Sequence, residues 1–133
     1  MKVFVSGKVG HEADTRYAIN RLLGLGHDIT FDWTQIPHLK PYEENRLEAS
    51  RAATLEIEGV RLADQLLLLL DDRGVGMYVE LGVALSLRKP VIAVSTGPLR
   101  SMFLFHPLVT IVSTIDQAIA ALDEVSKEHI THV

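Results

Sequence analysis

Residues 66–70 are five consecutive leucines, and two aspartates follow them directly. A short apolar run without alternation is typical of a strand that lies in the middle of a parallel sheet and is covered on both faces. Five residues are far too few to span a membrane. The run therefore predicts a buried parallel sheet, with residues 65–70 as one of its strands.

The rest of the chain alternates between strand-like and helix-like segments. Further strands are predicted at residues 3–5, 27–33, 91–94 and 109–112. Helices are predicted at residues 14–23, 43–62 and 78–87. A capping box formed by Thr114 and Gln117 predicts the start of a last helix. The side chains of this last helix that should point inward are Ile115, Ala118, Ile119, Leu122 and Val125. Strands that alternate with helices favour a doubly wound α/β sheet with right-handed crossovers. We predict a single domain over residues 1–133, with five parallel strands in the flavodoxin-like order 2-1-3-4-5.

This strand order predicts where a ligand binds. In open parallel sheets the ligand lies at the carboxyl ends of the strands, where the strand order reverses, and here that point is between strands 1 and 3. We therefore expect a ligand at the N-terminus of the helix predicted at residues 78–87, near Gly74 and Gly76 and facing Ser6 and Gly7.

Composition excludes several other classes of protein. The chain contains no cysteine, which excludes disulfides, thiolate metal sites and cysteine nucleophiles. Its net charge is −4 without a basic block, so a nucleic-acid polymer is not an expected partner. The histidines show no metal-ligand spacing, and we expect neither a metal nor a cofactor. The chain begins directly with a strand pattern, so we expect a cytoplasmic protein without a cleavable signal or a membrane segment.

Glu80 is the leading candidate for chemistry. The predicted boundaries put it in the first turn of its helix, where the helix dipole favours an ionised carboxylate. A carboxylate at the mouth of a ligand crevice can act as a nucleophile or stabilise a cationic sugar. The same position also suits an acid that only complements the dipole, and the spacing leaves both interpretations open.

The stretch Gly74-Val75-Gly76-Met77-Tyr78-Val79-Glu80-Leu81-Gly82-Val83-Ala84-Leu85, followed by Lys89-Pro90-Val91, resembles the nucleoside 2-deoxyribosyltransferase superfamily. The Ser6-Gly7 turn and the Ala63-Asp64 pair add to the resemblance. The superfamily includes enzymes that exchange bases between deoxynucleosides and enzymes that hydrolyse deoxynucleoside monophosphates. The resemblance implies cleavage or exchange at the N-glycosidic bond of a nucleoside or nucleotide, without a cofactor.

The resemblance also implies roles for single residues. Glu80 matches the glutamate that forms a covalent intermediate with the sugar. Glu56, eight residues before Asp64, matches an acid that orients the nucleoside. Gly74 departs from members that have a polar residue there, and Asp71 or Asp72 could substitute for it. The departure keeps open an alternative, a non-catalytic nucleotide-binding or sensor module on the same fold.

The remaining site predictions concern substrate contacts and assembly. The predicted substrate-binding residues are Ser6, Gly7, Lys8, Asp32, Trp33, Gly74, Gly76 and Met77, and Asp71 joins Glu80 and Glu56 as a catalytic candidate. The apolar segment at residues 102–108, together with Trp33 and Tyr42, carries more large side chains than the outside of a small monomer usually does. We therefore expect a homodimer or larger homo-oligomer, as in the family that the chain resembles.

Overall fold

The computed structural model describes residues 1–71 and 73–131 and the side chains up to residue 128. Its centre is a five-stranded parallel sheet in the order β2-β1-β3-β4-β5, which confirms the predicted α/β topology. The strands are β1 (Lys2–Ser6), β2 (Asp28–Ile29), β3 (Gln65–Leu69), β4 (Val91–Val94) and β5 (Val109–Val112). The leucine run is the central strand, as its lack of alternation predicted.

Four helices connect the strands: α1 (Glu12–Gly24), α2 (Arg46–Leu62), α3 (Val75–Ser86) and α4 (Ile115–Thr131). Helix α2 begins three residues later than predicted, because a separate 3₁₀ turn forms at Tyr42–Glu44. Helix α3 begins three residues earlier than predicted. As a result Gly76 is the second residue of the helix, and Gly74 lies just before it.

The sheet separates two hydrophobic cores. On one face α2 and α3 pack on side chains that include Phe4, Leu66 and Leu68. On the other face α1 and α4 pack on side chains that include Val5 and Leu67. Successive residues of a strand point to opposite faces, so Ser6 lies on the same face as Phe4, toward α2 and α3.

Two local predictions are wrong and one is confirmed. Strand β2 spans two residues instead of the predicted 27–33, because Asp32 caps a 3₁₀ turn at Trp33–Gln35 that takes the chain away from the sheet. Val125 was predicted to point inward from α4, yet it is 41% exposed. The capping box is present, since Gln117 N–H donates to Thr114 Oγ1 and Thr114 N–H donates to Gln117 Oε1.

Gly59 brings α2 unusually close to β1. A Cβ atom at this position would lie 2.9 Å from Phe4 Cδ2 and 2.9 Å from Phe31 Cβ, so a larger residue would push the helix outward. Glu56 lies one helical turn earlier and on the same side of the helix. The close approach therefore places the Glu56 carboxyl near the carboxyl end of β1.

In residues 1–71 and 73–131, no helix is both long enough and apolar enough to cross a membrane.

Candidate active site

A buried serine and a buried glutamate meet at the switch point of the sheet. Ser6 is the last residue of β1 and is fully buried, and Glu80 on α3 is 6% exposed. The Ser6 hydroxyl donates a hydrogen bond of 2.5 Å to Glu80 Oε1. The contact joins residues 74 positions apart in the chain, so tertiary packing brings them together.

Glu56 is the second acid at this point. Its carboxyl comes from α2 and is hydrogen-bonded to the Glu80 carboxyl. The structure therefore brings together Glu56, Glu80 and Ser6, all of which were predicted site residues. The prediction for Ser6 was a backbone contact with the ligand, whereas the structure adds a side-chain contact with Glu80.

Burial controls the protonation of the two acids. It raises the pKa of Glu80 from its ordinary value of 4.5 to about 8; the hydrogen bond from Ser6 opposes this rise, and Glu56 adds to it. Burial also raises the pKa of Glu56, and the hydrogen bond from Glu80 opposes that rise. At neutral pH the pair therefore holds a proton, with Glu80 as donor and Glu56 as acceptor.

This result corrects the expectation of an ionised Glu80 in a first helical turn. Because α3 begins at Val75, Glu80 is the sixth residue of the helix and lies in its second turn. The dipole effect falls off beyond the first turn. Desolvation dominates instead, and it favours the neutral carboxyl.

A cleft of about 390 Å³ opens beside Glu56. This volume falls within the usual range for small-molecule pockets. Trp33 forms part of its wall, and its ring is fixed because the indole N–H donates to Val5 O at 2.9 Å. The cleft is lined by Val9, Glu12, Arg16, Trp33, Thr34, Ile36, Pro37, His38, Leu39, Lys40, Tyr42, Ala49, Ala52, Ala53 and Glu56.

Sequence reasoning missed the polar side of this cleft. Arg16 lines it from α1 and donates a hydrogen bond of 3.3 Å to Thr34 O. Glu12 also lines it and accepts a hydrogen bond from Gly10 N–H. No motif marks these residues, because loop packing rather than local spacing brings them to the cleft.

Asp71 lies at the same edge of the sheet in a different environment. His11 Nδ1 lies 3.1 Å from Asp71 Oδ2, and Arg73 N–H donates to Asp71 Oδ1 at 2.9 Å. The hydrogen bond from Arg73 N–H, helped by the neighbouring side chains of Lys8, His11 and Arg73, holds the pKa of Asp71 below its ordinary value. Lys8, a predicted substrate contact, thus helps to lower the pKa of Asp71 in this structure.

A second cavity of about 280 Å³ adjoins Asp71 on the side of β4. It is lined by Leu70, Asp71, Tyr78, Ser95, Thr96, Gly97, Pro98 and Leu104. Asp71 therefore borders a cavity that is separate from the one beside Glu56. Asp72, which was the alternative to Asp71, lies outside the described residues.

Other predicted substrate contacts have structural roles. Asp32 accepts hydrogen bonds from Thr34 N–H and from the Thr34 hydroxyl. Met77 is 1% exposed and packs in the core beneath α3. A Cβ atom at Gly74 would lie 2.5 Å from Met77 Cε. Asp32 and Met77 thus have structural contacts of their own, whereas the atom nearest to a Cβ at Gly74 is the end of a flexible side chain.

The two remaining predicted glycines differ from one another. A Cβ atom at Gly7 would lie 2.4 Å from Thr15 Oγ1, so the turn after β1 has room only for glycine. A Cβ atom at Gly76 would meet nothing within 4 Å. Close packing against α1 therefore accounts for Gly7, and no packing contact accounts for Gly76.

The part of the chain that the structure describes contains no group of three or more histidine, aspartate or glutamate side chains that could hold a metal ion. The chemistry that the site offers is that of a carboxyl pair. Two neighbouring acids that share a proton can supply one acid and one carboxylate at the same place.

Comparison with known proteins bears on the fold. No protein-family model and no curated protein matches the chain. The solved 2-deoxyribosyltransferase of Bacillus psychrosaccharolyticus is similar with a TM-score of 0.70 at 20% identity, over 90% of this chain and 90% of that one. The CMP N-glycosidase BcmB of Clostridium botulinum is similar with a TM-score of 0.62 at 14% identity, over 92% of this chain and 99% of that one. The chain thus shares the fold of these two solved structures, which confirms the fold that the resemblance implied.

Proposed function

We propose that the protein cleaves or exchanges the N-glycosidic bond of a nucleoside or nucleoside monophosphate. The observation that carries the proposal is the pair formed by the buried Glu80 and the partly buried Glu56 at the switch point, next to a cleft of small-molecule size. The solved structures with this fold include a CMP N-glycosidase and a 2-deoxyribosyltransferase, which supports the same substrate class.

The contact between the two acids favours a covalent route. In glycosidases that invert the sugar, the two carboxyl groups are about 6.5–9.5 Å apart, which leaves room for a water molecule between acid and base. Glu56 and Glu80 interact through a hydrogen bond, so their carboxyls lie closer together than that separation. Enzymes that retain the configuration through a covalent intermediate have the shorter separation, about 5–5.5 Å, and the close pair supports Glu80 as the nucleophile on this ground.

In the first step the shared proton moves to Glu56, which leaves a carboxylate on Glu80. A Glu80 oxygen attacks the anomeric carbon while the bond between that carbon and the base nitrogen breaks. The electron pair of the broken bond goes to the base, which takes the proton from Glu56. The products are the free base and a sugar ester of Glu80.

In the second step water or a second base attacks the anomeric carbon. The ester bond breaks with its electron pair returning to Glu80, and Glu56 takes the proton of the attacking molecule. Glu56 then holds the proton and Glu80 is a carboxylate, and return of the shared proton to Glu80 restores the resting pair. Water gives hydrolysis and a second base gives exchange, and the pair serves both reactions.

Incubation with mixed nucleosides and monophosphates, followed by chromatography, tests this proposal. We expect free base from at least one substrate, and exchanged nucleoside where a second base is the acceptor. Intact-protein mass spectrometry after rapid quenching should show the mass of the sugar added to the wild type and not to Glu80→Gln. Absence of base release across the panel would contradict the proposal.

One observation favours the alternative of a non-catalytic nucleotide-binding module. Gly74, which caps α3, brings no polar side chain to the helix start. The alternative predicts that the protein binds a nucleotide and leaves it intact. Equilibrium binding measured alongside base release separates the two functions.

We also propose that the protein is a homo-oligomer. Three large side chains of the 3₁₀ turn Met102–Phe105 are exposed, namely Met102 (77%), Phe103 (56%) and Phe105 (69%). Trp33 does not contribute to this apolar surface as predicted, because it is only 6% exposed. Light scattering should report a dimer or larger species for the wild type and a smaller one for a Phe103→Ser, Phe105→Ser double variant. A monomeric wild type at micromolar concentration would contradict the proposal.

A further inference from the structure

The hydrogen bond between Ser6 and Glu80 is unlike the other contacts of the site. Ser6 is fully buried, and Glu80 Oε1 is its hydrogen-bond acceptor at 2.5 Å. Within the described part of the chain, the groups that act on the Glu80 carboxyl are Ser6 from β1 and Glu56 from α2. The Glu80 carboxyl therefore interacts with the Ser6 hydroxyl and with the Glu56 carboxyl.

The three influences on Glu80 act in different directions. Burial and the nearby Glu56 both favour the neutral carboxyl. The Ser6 hydroxyl favours the ionised form, because a hydrogen bond is stronger to a carboxylate than to a neutral acid. Among the groups named here, Ser6 is therefore the one that stabilises the Glu80 carboxylate, which is the form needed for attack.

We infer that Ser6 is a positioning residue, whose hydroxyl fixes Glu80 Oε1 and supports the carboxylate while the other oxygen attacks the sugar. The reaction itself rests on the function proposed above. A substrate contact by the Ser6 backbone is compatible with this role, because the side chain and the backbone act separately. The inference requires that loss of the hydroxyl changes both the titration of Glu80 and the rate.

A graded series of variants tests the inference. Ser6→Ala removes the donor, and Ser6→Cys replaces it with a weaker donor of similar size. Ser126→Ala is a matched control, since Ser126 is also buried but lies in α4 on the opposite face of the sheet. The cysteine variant also preserves the test if the alanine variant does not fold.

The first readout is carbon-13 NMR of labelled glutamate carboxyls, with the Glu80 signal assigned by its loss in Glu80→Gln. We expect the titration midpoint of Glu80 to rise by about one pH unit or more in Ser6→Ala. The rise should be smaller in Ser6→Cys and absent in Ser126→Ala. An unchanged midpoint in both Ser6 variants would overturn the inference.

The second readout is base release as a function of pH. For Ser6→Ala, kcat should fall about tenfold to a hundredfold with little change in KM, since a hydrogen bond to a charged group is lost. The basic limb of kcat/KM should move to higher pH, because the pair is active only while it holds its shared proton, and loss of the hydroxyl lets Glu80 keep that proton to higher pH. A rise in KM at unchanged kcat would overturn the positioning role.

The NMR titration does not depend on turnover, so the two proposals fail in distinguishable ways. If the wild type releases no base, the proposed function fails, and the titration still shows whether Ser6 controls Glu80. If base is released and neither readout responds to Ser6, the inference fails and the proposed function stands.

Discussion

Asp71 and Glu80 are nine residues apart on the same strand–turn–helix unit, and their environments are opposite. Asp71 accepts a backbone N–H and lies among cationic groups, which lower its pKa. Glu80 lies between β1, α2 and α3 at 6% exposure, and its pKa is raised to about 8. Both acids follow the central strand at the carboxyl edge of the sheet.

The difference shows that position at the switch point does not by itself define a catalytic acid. Asp71 is ionised at any pH near neutrality, so it can attract cations but cannot donate a proton. Glu80 and Glu56 exchange a proton near neutral pH, which is the property that acid–base chemistry needs. The following predictions test this contrast, beginning with the largest expected effect.

Glu80→Gln should abolish most of the activity. The amide keeps the shape of the side chain and can still accept a hydrogen bond from Ser6, but it cannot attack the sugar. We expect kcat for base release to fall by about a thousandfold or more, because a covalent nucleophile acts mainly in the transition state. Base release near the wild-type rate would remove Glu80 from the nucleophile role and favour the binding module.

Glu56→Gln should reduce the rate less. It removes the group that passes the proton to the leaving base, but it leaves the nucleophile. We expect a loss of about tenfold to a thousandfold, as for a general acid–base group. The measurement is kcat with two substrates whose bases differ in basicity. The loss should be smaller for the more easily displaced base, and an equal loss for both would contradict proton transfer by Glu56.

The stability of the fold should depend on pH through Glu80. The folded state binds this proton more tightly than the unfolded state, so the free energy of unfolding falls as pH rises from about 4.5 towards 8. Glu80→Gln removes the contribution of the Glu80 proton to this pH dependence. At pH 8 the free energy of unfolding of the variant should therefore be higher than that of the wild type by about a few kcal/mol. Urea denaturation of both proteins at pH 5 and pH 8 measures their difference in the free energy of unfolding. The same difference at both pH values would contradict the raised pKa of Glu80.

Local pattern predicted the sheet better than the site. The leucine run and the apolar segment at residues 91–94 gave β3 and β4 nearly to the residue, because buried parallel strands are largely apolar. The edge strand β5 was also predicted with its exact bounds. The alternating residues 27–33 gave an overlong β2, because the chain turns into the 3₁₀ turn at Trp33–Gln35, where the Trp33 indole N–H donates to Val5 O. That contact depends on the folded chain and has no local signal.

The sequence predicted which residues form the site, but not the charge state of Glu80. The resemblance pointed to Glu56 and Glu80, and the structure places them in contact. The charge state of Glu80 depends on how deeply α2 and α3 cover it, which the spacing along the chain does not encode. The close approach at Gly59 and the hydrogen bond from Ser6 both come from tertiary packing.

The smallest effect is expected for Asp71→Asn. Asparagine can still accept the Arg73 N–H, so only the attraction to Lys8, His11 and Arg73 is lost. These interactions are close to solvent and screened by salt, so kcat/KM should change only a few-fold and the melting temperature at pH 7 should fall slightly. Because the folded-state pKa of Asp71 is lowered, its stabilising effect is present above about pH 4 and is lost as pH falls further. Thermal melts of the wild type and the variant should therefore converge as the pH falls well below 4. A hundredfold loss of kcat at unchanged KM would instead place Asp71 in the chemistry beside Glu80, and the contrast between the two acids would then be wrong.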